Sequence, residues 1–208
     1  MNKINYDKVM EKIIDENKKE GKKPSLLLQV CCGPCSTSVL DRLKEDFAID
    51  IFFYNPMIYP RSEFEKRAAN VIKLRDGMDI ASKVLIPENN ISDFNPVALK
   101  RKEDKEFGRA CFDCYELRLR ETAKYAKENS YDFFSTTLSV SPYKNSQWLN
   151  EIGAELEEEF GVRYLFSDFK KKDGYKKSID FSKQYDLYRQ DYCGCVFSYK
   201  EMLDRNKC

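Results

Sequence analysis

The chain has 208 residues, enough for one sizeable α/β domain, and its 36 basic and 35 acidic residues leave a formal charge of +1. No overall field therefore selects a polyanion, and any basic surface has to be local. Histidine is absent, which excludes His-containing zinc sites, haem on an axial His and every catalytic dyad or triad built on imidazole. No stretch reaches the length of a membrane span, and the polar start MNKINYDKVMEKIIDENKKEGKK is unlike a signal peptide, so a cytosolic protein without membrane attachment is expected.

Residues 6–19 have helical spacing at Val9, Ile13 and Ile14, ahead of a polar turn. SLLLQV (25–30) is a short continuous apolar run, as in a strand buried on both faces. After a cysteine-rich turn, STSVLDRLKED reads as a helix, IDIFFYN (49–55) as a strand stopped by Asn55-Pro56, and 61–79 as a long helix. SKVLIPE (82–88) is predicted as a strand, 109–129 as a strongly periodic helix, and DFFSTTL (132–138) as the next strand. A helix over 146–161 and a strand over 162–169 follow, and the basic, aromatic tail is predicted to be helical in pieces. This alternation predicts an α/β fold, a parallel sheet with helices on both faces, formed by one domain over 1–208 in which about 170–208 is a C-terminal extension. Ligands of such sheets bind beyond the carboxyl ends of the strands. QVCCGPC, YNPMIYP, TTLSVSPYKN and FSDFKKKDGY all follow predicted strands, so they are expected to share one rim.

Seven of the eight cysteines fall in three groups: Cys31, Cys32 and Cys35; Cys111 and Cys114; Cys193 and Cys195. In a reducing compartment this spacing reads as metal or redox chemistry, with Cys208 a bystander. A strand-to-helix turn sets the first group near backbone N–H groups and the positive end of a helix dipole, which favours thiolate. CGPC alone matches a thioredoxin dithiol, but the cysteine before it, the two further groups and the longer α/β alternation argue against that reading. Cys111 and Cys114 lie one turn apart on a helix whose inward stripe continues through Tyr115, Leu119, Ala123 and Ala126. With CCGPC they form a four-thiolate framework that zinc or an iron–sulfur cluster would accept, and the surplus thiols favour the cluster. In YCGCVFS, Cys193 and Cys195 could close only a small strained ring, characteristic of a labile or catalytic disulfide, or one or both could bind metal.

These segments together resemble the epoxyqueuosine reductases of the QueH type, across roughly 24–199. The resemblance is carried by LLLQVCCGPCSTSVL, FFYNPMIYPRSEFEKR, RACFDCYELRL, TTLSVSPYKN, SDFKKKDGY and YRQDYCGCVFS. It implies a cobalamin-independent reductive deoxygenation, in which the epoxide of epoxyqueuosine at the tRNA wobble position becomes the alkene of queuosine. It also implies a core similar to that of tRNA-modifying ATP pyrophosphatases, with C-C-G-P-C-S where those enzymes carry an ATP loop, so ATP use is not expected. The resemblance assigns a [4Fe-4S] cluster to Cys31, Cys32, Cys111 and Cys114, a choice of Cys31 over Cys35 that spacing leaves open. Cys193 and Cys195 would then cycle between dithiol and disulfide, and Cys35 would be a nearby catalytic thiol or help bind an additional iron that polarises the oxygen.

Without histidine, protons must come from a carboxylic acid, a tyrosine or a thiol; Asp113 and Tyr115 beside Cys114, and Asp191 and Tyr192 before Cys193, are the candidates, although each could serve only packing or surface roles. Lys170, Lys171, Lys172, Lys176 and Lys177, with Tyr175 and Arg189, are expected to contact the phosphates and an unpaired base of the tRNA anticodon loop. An electron donor is a further expected partner. The competing readings are an electron-transfer protein without a substrate of its own, and a zinc-stabilised tRNA-binding module.

Overall fold

A computed structural model describes residues 4–205 other than 81 and 89, so Cys208 lies outside the described residues. In chain order the elements are α1 (Tyr6–Lys19), β1 (Ser25–Gln29), α2 (Gly33–Leu43), β2 (Ala48–Phe52), α3 (Arg61–Gly77), β3 (Val84–Leu85), α4 (Asn95–Arg101) and α5 (Arg109–Glu128). They continue with β4 (Phe133–Thr136), α6 (Ser146–Phe160), β5 (Arg163–Tyr164), α7 (Gly174–Gln184) and α8 (Val196–Arg205).

The strands form one sheet in the order β3-β2-β1-β4-β5, and every pairing is parallel. Successive strand side chains point to opposite faces, and both faces are covered. Leu26, Leu28, Ile49, Ile51 and Phe133 join Met10 of α1, Val39, Leu40 and Leu43 of α2, and Phe64, Val71 and Leu74 of α3 in one core. Leu27, Phe52 and Phe134, on the opposite face, join Phe112, Leu119 and Ala123 of α5 and Leu149, Ile152 and Leu156 of α6 in a second. That is why β1 reads as an unbroken apolar run and not as an alternating one.

Strand order reverses at β1, whose neighbours are β2 and β4. In open α/β sheets the crevice at such a reversal, beyond the carboxyl ends of the strands, is where ligands bind. The chain leaves β1 directly into Cys31 and Cys32, and leaves β4 into a 3₁₀ turn over Thr137–Val140. A buried polar network holds the two exits in place. Thr136 Oγ1 donates to Gln29 Oε1 at 2.8 Å, Gln29 Nε2 donates to the Tyr54 carbonyl at 3.2 Å, and Asn55 Nδ2 donates to the Val30 carbonyl at 2.9 Å.

Several boundaries depart from the sequence expectation. α2 starts at Gly33, earlier than STSVLDRLKED suggested, because the Cys32 sulfur caps it by accepting from the Cys35 N–H at 3.4 Å and Pro34 fits its first turn. α4 had no counterpart; its Pro96 in the first turn was the available signal. The predicted strand over 162–169 pairs only at Arg163–Tyr164. Farther along, the Asn150 side chain takes both backbone groups of Ser167, accepting from its N–H and donating to its carbonyl at 2.9 Å each. The tail forms α7, packed along α2, and α8. Among the described residues no helix is long and apolar enough to cross a membrane.

Candidate metal centre

The turn leaving β1 brings the sulfurs of Cys31, Cys32 and Cys35 within 4.8 Å of one another, with Cys31 and Cys32 at 3.7 Å. Hydrogen bonding with Cys32 and Cys35 holds the Cys31 thiol well below its ordinary range; burial opposes this, and the positive charges of Arg118 and Arg67 add to it. The same sharing pushes Cys35 well above its ordinary range, while burial pushes Cys32 to about 12. The triplet thus favours one thiolate shared by three sulfurs, at the first turn of a helix.

The next two thiols sit on the opening turns of α5, where burial raises Cys114 to about 11 and also raises Cys111. Four residues after Cys114 on the same helix face, Arg118 is 1% exposed, and its Nε donates to the Cys114 carbonyl at 3.1 Å. Burial works against its charge, but the surrounding Cys114, Cys193 and Cys31 sulfurs outweigh this and leave it above its ordinary value.

Cys193 and Cys195 lie on the bend that enters α8, with Gly194 at φ +132°, a conformation that L side chains rarely adopt. Arg67 of α3, 1% exposed, clamps this bend. Its Nη1 donates to the Cys193 carbonyl at 3.0 Å and its Nη2 to the Tyr192 carbonyl at 3.2 Å, while its Nε pairs with Glu63 at 2.7 Å. The Tyr59 N–H, from the loop after β2, donates to the Gly194 carbonyl at 2.8 Å. Lys144, from the loop after β4, donates from Nζ to the Cys193 sulfur at 3.0 Å. Burial disfavours its charge, yet Cys193 and Tyr115 beside it hold Lys144 above the ordinary lysine range. All seven described cysteines are free thiols.

These elements enclose a cavity of about 460 Å³, lined among others by Cys31, Cys35, Arg118, Lys144, Gln190 and Cys193. Two buried polar atoms at this site have no hydrogen-bond partner among the described residues: Arg118 Nη2 and Gln190 Oε1. Gln190 Nε2, by contrast, donates to the Cys32 sulfur at 3.0 Å. An orphaned guanidinium N–H among thiols suits an added group of net negative charge, which a thiolate-ligated metal centre has. The donor set therefore fits such a centre.

The predicted residues divide by position. Tyr115 is buried, with the Lys144 Nζ 5.8 Å from its ring centre, and burial raises its hydroxyl to about 12. Asp191 lines the cavity. Asp113 instead pairs with Lys100 at 2.6 Å and Arg109 at 3.8 Å. Of the tail cations, Lys170 donates to the Ser139 and Lys144 carbonyls and pairs with Asp168, bracing the loop that carries Lys144. Lys172 pairs with Glu11 of α1, and Lys171, Lys176 and Lys177 are exposed. Tyr175 and Arg189 line the cavity, with the guanidinium 6.0 Å from the ring centre. Sequence reasoning missed Arg67, Arg118, Gln190 and the role of Lys144. Only Arg118 left a signal, an arginine in register with the inward cysteine face of a helix.

A family model described as epoxyqueuosine reductase QueH matches residues 26–201. The chain is 41% identical to an epoxyqueuosine reductase QueH of Staphylococcus epidermidis, over 94% of this chain and 85% of that protein. It is 36% identical to one of Streptococcus pyogenes (95% and 79%) and 34% identical to one of Thermotoga maritima (88% and 94%). With a thiol-rich crevice at the strand-order reversal and a match running through all three cysteine groups, the chain belongs to the epoxyqueuosine reductase QueH family of oxidoreductases.

Proposed function

We propose that this protein converts epoxyqueuosine at the tRNA wobble position to queuosine, with a [4Fe-4S] cluster on Cys31, Cys32, Cys111 and Cys114 and a redox pair at Cys193 and Cys195. The observation that carries the reading is the meeting of three separate chain segments at one cavity: the Cys31 turn, the Lys144 loop and the Cys193 bend. The family resemblance names the reaction, and this geometry supports placing it here.

The reaction breaks two C–O bonds, forms a C=C bond and releases the oxygen as water, consuming two electrons and two protons. Oxidation of the Cys193 and Cys195 thiols to a disulfide yields two electrons and two protons, so the atoms balance. When bound, the cluster supplies one-electron transfer. Arg67 orients the Cys193 bend through its two carbonyl contacts. Lys144 holds a proton at Nζ, 3.0 Å from the Cys193 sulfur and facing the cavity, where it can meet the departing oxygen. Tyr115 and Asp191 remain candidate second donors, whereas Asp113, tied to Lys100, is the weakest of the three. Cys35, within 4.8 Å of both other sulfurs of its turn, is the thiol left over for catalysis or for an additional iron.

Tyr175 and Arg189 contact the RNA at the cavity, with Lys171, Lys176 and Lys177 nearest the phosphates. An external donor returns the disulfide to dithiol, and the cytosol, where tRNA is, is the site of action. The test is anaerobic incubation of the iron-loaded protein with epoxyqueuosine-tRNA and a reductant, followed by nucleoside analysis. Queuosine formed in step with reductant consumed supports the reading. Purified protein with zinc and no acid-labile sulfide, and without turnover, refutes it.

A further inference from the structure

Two large rings line the cavity from outside both hydrophobic cores. Phe107 is 50% exposed and Tyr143 66% exposed, yet their centroids lie 6.5 Å apart with planes 26° from parallel. They come from unrelated loops, one before α5 and one after β4. Phe107 is held at φ +72°, an uncommon conformation for a bulky side chain that needs surrounding structure to maintain it. Its loop is braced by Asp104, whose carboxylate accepts the Ala110 N–H at 2.8 Å and fills the space that a side chain at Gly108 would need. Tyr143 is set by the turn in which its N–H donates to Ser141 Oγ at 3.3 Å and the Lys144 N–H to the Ser141 carbonyl at 3.2 Å.

The pair forms a ridge between two depressions. On one side lies the thiol-lined cavity; on the other, a groove of about 450 Å³ lined among others by Tyr115, Pro142, Asn145 and Trp148, with Phe107, Tyr143 and Lys144 shared between the two. On the cavity side Arg118 and Lys144 are committed to the thiols, which leaves Arg189 and Arg205 as the cations available to a phosphate there. Flat apolar faces beside a cationic hollow match an unpaired nucleotide, whose base stacks on aromatics while its phosphate meets the cations.

We propose that Phe107 and Tyr143 form a stacking platform for the unpaired base next to the reacting nucleoside, directing that base into the Trp148 groove while the reacting one enters the cavity. The platform rests on the reading of the substrate as an RNA loop. It assigns to these two residues a selection for single-stranded RNA that the cysteines cannot provide.

The experiment uses the full-length, metal-loaded protein and an unmodified anticodon stem-loop RNA carrying 2-aminopurine beside the wobble position, followed by fluorescence. Wild type is expected to quench the probe on binding. Tyr143→Ala and Phe107→Ala are each expected to raise Kd by about 5- to 100-fold and to lose most of the quench, as removal of one base-stacking ring does. Tyr143→Trp keeps both signals. Because Phe107→Ala alters a strained backbone, Tyr143→Ala, at an exposed side chain, is the decisive variant. Leu99→Ala, at an equally exposed apolar residue on α4, leaves Kd unchanged. Kd values within twofold of wild type for both ring variants, with quenching intact, overturn the platform alone. Ring variants that weaken a protein reductant and not the RNA overturn it in favour of a protein-docking ridge. Failure of wild type to bind the RNA at all removes the RNA reading itself.

Discussion

Replacing Arg67 by Met removes a guanidinium that is 1% exposed and serves three partners at once: Glu63 at 2.7 Å and the carbonyls of Cys193 and Tyr192 at 3.0 and 3.2 Å. The Glu63 carboxylate then stays buried with, among the described residues, the Tyr188 hydroxyl at 3.1 Å to solvate it. Breaking a buried pair from one side costs about 3–5 kcal/mol, chiefly through the charge left behind. For a chain of this size each kcal/mol moves Tm by roughly 2–4 °C, so a fall of about 6–20 °C is expected in thermal unfolding followed by circular dichroism. Removing the stranded charge as well, in Glu63→Gln with Arg67→Met, is expected to recover part of the loss, giving a double-mutant cycle with a coupling of about 1–3 kcal/mol. Arg67→Met should also loosen the Cys193–Cys195 bend, read as faster alkylation of Cys193 in the metal-free protein. A Tm within about 2 °C of wild type would refute the clamp, because the known cost of a stranded buried carboxylate could not then be hidden.

Lys144→Met is expected to lower turnover about 10²- to 10⁴-fold with little change in RNA affinity, the usual yield of a positioned proton donor; a loss confined to affinity would recast Lys144 as a phosphate contact. Gly194→Ala forces a side chain into a left-handed bend, with its Cβ 3.2 Å from Arg67 Nη1 and 3.3 Å from Ile58. It should cost about 1–3 kcal/mol by urea unfolding, and an unchanged midpoint would show that the bend relaxes freely. Anaerobic wild-type protein should hold about four irons and four acid-labile sulfides per chain, as a four-iron cluster requires. Alanine at Cys31, Cys32, Cys111 or Cys114 should empty the site, while Cys208→Ala retains it; full iron in Cys111→Ala or Cys114→Ala would move the ligand set to the Cys31–Cys35 turn.

Much of this protein is written locally. Five apolar runs separated by helical periodicities specify a parallel α/β sheet, because a strand buried on both faces must be apolar throughout. The three cysteine groups were equally legible, since in a chain without histidine the thiols stand out by spacing alone. Short features escaped: α4 is only seven residues long and β5 only two, and by Ser167 a side chain on α6 has taken the backbone groups that a longer strand would pair. What the sequence could not determine is which groups meet. Arg67 reaches Cys193 across 126 residues, Gln190 reaches Cys32 across 158, and Lys144 reaches Cys193 across 49. None of these contacts has a period or a motif. They exist because strand order reverses at β1, which sets the turn after β1 and the loop after β4 at a shared crevice, and because α7 folds the tail back along α2 over it. Local pattern determines the elements and the chemistry that they carry, whereas the electrostatic setting of each thiol depends on long-range packing that only the tertiary fold decides.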